Sequence, residues 1–153
     1  MTVDGLEFPD DLHYLVEEQV WARREGDSAV VGITALGVQL SGELYMCRPK
    51  VSGSRVEQGK SIAVAELAKS IVSVRSPVTG TVVEINAHLA TEPQRVHQDP
   101  YGSGWLARVR LSAWDGDRAR LLHGAAVAPA MAHHAWLYRR GEGDAGTAHE
   151  GGT

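Results

Sequence analysis

Short apolar runs alternate with turn-forming residues along most of the chain. Val20-Trp21-Ala22-Arg23 has the pattern of a strand, Arg24-Glu25-Gly26-Asp27 of a hairpin turn, and residues 28–33 of the returning strand. Thr34 is placed to cap a short helix through Leu40, its hydroxyl accepting from an otherwise unpaired N–H, and Gly42 suits the stop. Residues 43–47 have the apolar content of a strand, ended by Arg48-Pro49. Next come Val- and Ile-rich runs around Val64, Val74 and Val82, separated by a polar turn carrying Lys69 and by Ser76-Pro77-Val78-Thr79-Gly80. That pattern predicts a small antiparallel meander with Lys69 at a hairpin tip.

Beyond Asn86, residues 87–93 predict a loop leading into a helix near 92–97, with Thr91 as cap and Pro93 tolerated in the first turn. Trp105, Ala107, Val109 and Leu111 alternate with Arg108 and Arg110, as in a strand with one buried face. Helical spacing follows over 113–139 through Leu121, Leu122, Val127, Met131, His134 or Ala135, and Tyr138, with Gly124 and Pro129 dividing it. Residues 1–11 are a polar lead-in in which Phe8-Pro9-Asp10-Asp11 turns into the first ordered element, and the Gly-rich residues 141–153 are expected to be a disordered tail. Short strands at frequent turn signals argue for a mainly β sandwich or flattened barrel with a few short helices.

Composition narrows the class. At 153 residues the chain suits one domain. A net charge of −4 and a pI near 5.9 give no basic stripe for nucleic acid. The small-apolar run over 125–132 is too short to cross a bilayer and contains Pro129. A lone cysteine, Cys47, cannot form an internal disulfide, and no basic-plus-apolar leader is present, so a reducing, cytoplasmic setting is expected.

Few residues carry chemistry of their own. A lysine at a hairpin tip is, on position alone, an ordinary solvated charge. Cys47 sits in an apolar run, which favours inert packing over thiol exchange. The adjacent His133 and His134 would point about a hundred degrees apart on a helix, and no second ligand pair accompanies them, so no metal site is expected. Neither a Ser-His-Asp arrangement nor a phosphate-cradling glycine loop is legible, and the chain is expected not to be an enzyme.

The surroundings of Lys69 change its meaning. Glu66, then Lys69, then a strand, then Ser76-Pro77-x-x-Gly80, preceded by the turn Gly53-Ser54-Arg55-Val56-Glu57-Gln58-Gly59, resembles the attachment segment of lipoyl carriers. Biotin carriers use a similar hairpin but place Met on both sides of the lysine, where this chain has Ala68 and Ser70. Val31-Gly32-Ile33-Thr34 and Asp99-Pro100-Tyr101-Gly102-Ser103-Gly104-Trp105-Leu106 occur in the order seen in the glycine cleavage H-protein family, and the resemblance covers residues 12–111.

The resemblance implies a lipoyl-domain-like hybrid barrel-sandwich of antiparallel strands plus C-terminal helices. It also implies a lead-in over 1–11, a carrier domain over 12–111, a helical extension over 112–140 and the tail over 141–153. Lipoate would be attached covalently to Lys69 by a lipoate-protein ligase or lipoyltransferase, with Glu66 as a recognition handle. The protein would be a non-catalytic carrier, its cofactor supplying the chemistry.

Two pathways fit such an arm. Where H proteins carry His-Glu-Trp and E-S-V-K-A, this chain has Gln19-Val20-Trp21 and Glu66-Leu67-Ala68-Lys69-Ser70. Its opening, Phe8-Pro9-Asp10-Asp11-Leu12-His13-Tyr14, resembles that of lipoate-binding proteins of heterodisulfide-reductase-like sulfur oxidation. This opening and the extension past Leu111 favour that branch as the expectation. The alternatives are a carrier serving the glycine cleavage enzymes and a cofactor-free interaction domain of the same fold.

Overall fold

In the computed structural model the backbone is described for residues 1–148 and the side chains for residues 1–139. Three antiparallel sheets frame the described residues. A small N-terminal hairpin pairs β1 (Thr2–Val3) with β2 (Leu6–Glu7). The largest sheet has the order β3-β4-β5-β11-β10-β7, built from His13–Leu15, Val20–Glu25, Ser28–Ile33, Ala107–Leu111, Gly80–Ile85 and Arg55–Val56. A three-stranded sheet has the order β6-β8-β9, from Met46–Pro49, Ser61–Glu66 and Ile71–Arg75. One apolar cluster joins them, with Ala22, Val31, Val82 and Val109 of the large sheet packed with Cys47, Ile62, Ala65 and Val74 of the small one. Mainly antiparallel β structure with a few short helices is as the sequence predicts.

Local signals hold up well. The β4–β5 hairpin turns at Gly26, whose φ of 68° needs the missing side chain, although β4 runs two residues further than the Val20–Arg23 pattern shows. Thr34 caps α1 (Ala35–Ser41), its hydroxyl accepting from Gly37 N–H at 2.9 Å, and Gly42 ends the helix at φ 79°. On β11, Ala107 and Val109 are buried and Arg110 is exposed, while Trp105 lies before the strand.

Elsewhere the fold differs from the sequence pattern. The three apolar runs do not form one meander: β8 and β9 pair with each other, but β10 crosses to the large sheet between β11 and β7. Ser76-Pro77 makes that crossing, and a Val-rich strand buries equally well in either sheet. The strand expected over 43–47 is β6, three residues later, because Met46 pairs with Glu66 and Pro49 with Ala63. Pro49 is accommodated because β6 is an edge strand.

The helix expected near 92–97 is shorter and starts later, and the loop before it contains a 3-10 turn. Asn86, buried and donating to the Ser103 and Trp105 carbonyls at 2.8 Å each, starts a 3-10 turn over Ala87–Ala90. Thr91 closes that turn instead of capping a helix, and α2 (Arg95–Gln98) begins behind Gln94.

The two ends of the chain pack together. Phe8 and Leu12, in and beside the expected lead-in, are fully buried with Tyr14 and Trp21 against Val127, Met131 and Ala135. The C-terminal elements are α3 (Trp114–Asp117), two short 3-10 turns, and α4 (Val127–Ala148). A bridge between Tyr14 and Leu122, with both backbone bonds at 2.8 Å, fastens this region to β3. Gly124 does break the helical pattern, at φ 72°. Pro129 does not, because it lies in the first turn of α4, where no intrahelical N–H is required. α4 continues through 141–148, where a tail was expected, since propagation from a packed start is easier than nucleation. The rest of that expectation, 149–153, lies outside the described residues.

Phe8 tests whether the N-terminal segment braces the fold. Phe8→Ala should lower stability by about 3–5 kcal/mol, the usual cost of deleting a buried phenyl ring. A thermal melt should show a loss on the order of 10 °C for a chain of this size.

Candidate functional site

The β8–β9 hairpin carries the lysine that the sequence singles out. Its register runs from Ser61 opposite Arg75 to Glu66 opposite Ile71, and Leu67 N–H donates to the Ser70 carbonyl at 2.8 Å. Ala68 and Lys69 therefore form the tip, both exposed. Lys69 is at the tip that the sequence predicts, and Glu66 is exposed at the end of β8. Among the described residues, neither the Lys69 ammonium nor the Glu66 carboxylate has a hydrogen-bond or ion-pair partner. The amine is open to reaction.

The base of the hairpin is fixed on several sides. Ser76 N–H donates to the Lys60 carbonyl at 2.7 Å, and Gly59 N–H donates to the Ser76 carbonyl at 2.8 Å. Arg75 donates to the Gly59 carbonyl at 2.9 Å and lies 3.8 Å from Glu18. Thr79 donates to the Asp117 carboxylate from its backbone at 2.6 Å and its hydroxyl at 3.0 Å. Gln58 Nε2 reaches the carbonyls of Pro77 at 2.9 Å and Asp117 at 2.8 Å. Asp117 has no local signal in the sequence, because its partner is 38 residues away.

Beside the hairpin lies a groove of about 400 Å³. Ala65, Leu67, Val72 and Val74 of the hairpin form one wall, and Val20, Ile33, Gly37, Leu40 and Leu44 form much of the rest. Glu17 and Glu18, with His134 and Tyr138 of α4, also line it. Sequence reasoning missed this groove. Only the four-residue spacing of His134 and Tyr138 on a helix hinted that they share a face.

The other candidates have structural roles. Cys47 is 2 % exposed, and burial pushes its thiol pKa up to about 11, in keeping with an inert packing role. His133 stacks with Trp136 and His134 with Tyr138, so the adjacent imidazoles face different rings.

Two packed antiparallel sheets that present a lysine on a tight hairpin define a lipoyl-domain-like fold. The glycine cleavage H protein from Mycobacterium marinum has a similar structure, with a TM-score of 0.62 and 29% identity over 71% of this chain and 94% of that one. Residues 12–134 match the family described as glycine cleavage H-protein. The glycine cleavage system H protein of Marinobacter nauticus is 41% identical over 127 residues, covering 82% of this chain and 96% of its own. That of Rubrobacter xylanophilus is 42% identical over 106 residues, covering 69% of this chain and 83% of its own. The chain belongs to the glycine cleavage H-protein family.

Cys47 gives a direct check on the packing beneath the hairpin. A buried thiol titrating near 11 is almost wholly protonated at pH 8, so the native protein should not react with an aromatic disulfide reagent over minutes. The protein unfolded in denaturant should release one equivalent of chromophore; rapid reaction of the native form would contradict the burial.

Proposed function

We propose that Lys69 takes lipoate in amide linkage and that the chain is the lipoyl carrier of a glycine cleavage system. The observation that carries this reading is the Lys69 amine itself, exposed at a tight hairpin tip and without a protein partner. Such a lysine suits the attached group, which supplies a dithiol able to hold and hand over an intermediate. The protein contributes attachment, orientation and recognition. Anchoring the root on a hairpin fixed at its base confines the arm and raises its effective concentration at each enzyme visited.

The chain's own residues divide the work. β8 and β9 hold Lys69 clear of the body, and Glu66 offers a lipoate-protein ligase or lipoyltransferase an exposed carboxylate three residues before it. Residues 12–111 form the carrier body, with 1–11 and 112–140 as its brace. The groove gives a carried group an apolar place to rest between encounters. No residue acts as a catalyst, and the partners are a glycine decarboxylase and an aminomethyltransferase. A reducing cytoplasm would keep the dithiol exchangeable; among the described residues no helix is long and apolar enough to cross a membrane.

The heterodisulfide-reductase-like reading rests on the opening segment and the extension. Phe8, Leu12 and Tyr14 of that opening are buried in the core, so packing accounts for them without a partner surface. Much of the extension lies within the family match, which runs to residue 134. These observations and the names of the relatives favour glycine cleavage over sulfur oxidation.

Intact mass tests the attachment. Protein incubated with a lipoate ligase, ATP and lipoate should gain one lipoyl increment, and Lys69→Ala prepared identically should gain none; no increment with ligases of several classes would favour a cofactor-free interaction domain.

The pathway needs a second measurement. With glycine and a glycine decarboxylase, the oxidised lipoylated protein should acquire an aminomethyl adduct by mass. A lipoylated protein that stays unloaded there, yet exchanges electrons with a disulfide-reductase-like complex, would restore the sulfur-oxidation reading.

A further inference from the structure

Most polar groups lining the groove are already engaged. Gln19 donates to the Val16 carbonyl at 2.8 Å and to Met131 Sδ at 3.3 Å, and accepts from the Thr34 hydroxyl at 2.5 Å. Ser41 donates to the Val38 carbonyl at 3.1 Å. Glu17 pairs with Arg120 at 2.9 Å and Glu18 lies 3.8 Å from Arg75. Ser73 and the Tyr138 hydroxyl remain, but both residues are exposed, where water satisfies them. His134 is different: half-buried, it stacks on Tyr138 with ring centroids 4.5 Å apart and planes 27° from parallel, and among the described residues its ring nitrogens have no hydrogen-bond partner.

We propose that His134, oriented by Tyr138, makes the groove selective for the reduced arm by accepting a hydrogen bond from one of its thiols. This rests on the reading of Lys69 as the lipoyl-bearing residue. The oxidised dithiolane has no hydrogen to donate, whereas each thiol of the reduced form has one. Leu67 and Val72, which line the groove, are two and three residues from Lys69, so the arm's root is within about 10 Å of backbone from the wall. Val20 and Leu44 are buried and Ile33 is half-buried, and this apolar lining limits competition from water, so a weak S–H donor counts for more there than in solution.

Protonation sets the direction of the pH effect. Burial holds the His134 imidazole below its ordinary range, opposed by the nearby Glu17 carboxylate and reinforced by His133. The other charges facing this side are Glu18, Arg75 and Arg120, the arginines offsetting the carboxylates. At neutral pH the imidazole is therefore neutral and keeps an acceptor nitrogen. Acidification through its titration removes that acceptor, so the preference for the reduced arm should fade as pH drops.

The test uses the full chain, ligated to lipoate carrying ¹³C at the arm's terminal carbon, with NMR line width and shift separating docked from free arm. In wild type at pH 7 the docked-to-free ratio should be roughly fivefold higher for the reduced than for the oxidised arm, the scale of one net hydrogen bond. The difference should shrink towards pH 5. His134→Phe, which keeps a ring against Tyr138, should abolish the preference. His134→Gln, which keeps an acceptor but does not titrate, should retain it at both pH values. Equal docking of the two redox states in wild type, or a preference that survives in His134→Phe, overturns the proposal. A wild-type protein that takes no lipoyl increment overturns instead the reading of Lys69, and this inference with it.

Discussion

The hairpin keeps its place because the chain crosses from one sheet to the other at a single tight point. At Gly80 the backbone of β10 lies so close to β11 that a side-chain carbon would sit 1.9 Å from the Arg110 carbonyl oxygen. Glycine is required there by space, not by φ. Immediately before it, Thr79 is held by the Asp117 carboxylate and Ser76 by backbone bonds to Gly59 and Lys60. Rotating the β8–β9 hairpin would break these bonds together, so the tip lysine inherits its position from a crossing several residues away. The arm proposed for Lys69 would gain from such a fixed root.

What could be read from the sequence was whatever depended on neighbours in the chain. The Lys69 hairpin, the Gly26 turn and the Thr34 cap are each specified within a few residues, and each is present. The assignment of β10 to the large sheet was not legible, because Val82 is buried there as fully as it would be in a meander. Nor was the packing of Phe8 against Met131, since each is an ordinary apolar residue until the other is brought to it. The motif around Lys69 marks a candidate site, while the groove beside it is assembled from β4, β5, α1, β8, β9 and α4 and has no contiguous signature.

The replacement of His-Glu-Trp by Gln19-Val20-Trp21 has a physical account in this chain. Trp21 is fully buried, its indole N–H shared between the carbonyls of Ile33 at 3.1 Å and Pro100 at 3.2 Å. Gly32 faces that ring closely enough that a side chain would meet it at 2.5 Å, so Trp21 and Gly32 are a matched pair. Gln19 adopts a φ of 54°, a left-handed conformation that is unfavourable for a residue with a side chain. Its amide bonds to Val16, Thr34 and Met131 hold it there. Backbone strain persists where surrounding bonds over-determine it, and it often marks a functional surface.

That strain is placed where the groove needs it. The left-handed turn at Gln19 swings the chain from the 3-10 turn carrying Glu17 and Glu18 into β4, so Val20 joins the groove lining while the two carboxylates stay at its side. The bond from Gln19 to Met131 ties the same turn to α4, three residues before His134. One buried amide thus couples this groove-lining turn to the helix that supplies His134 and Tyr138. A substitution at Gln19 would therefore act on the turn and on α4 at once, which is a stronger constraint on that position than burial of a single side chain.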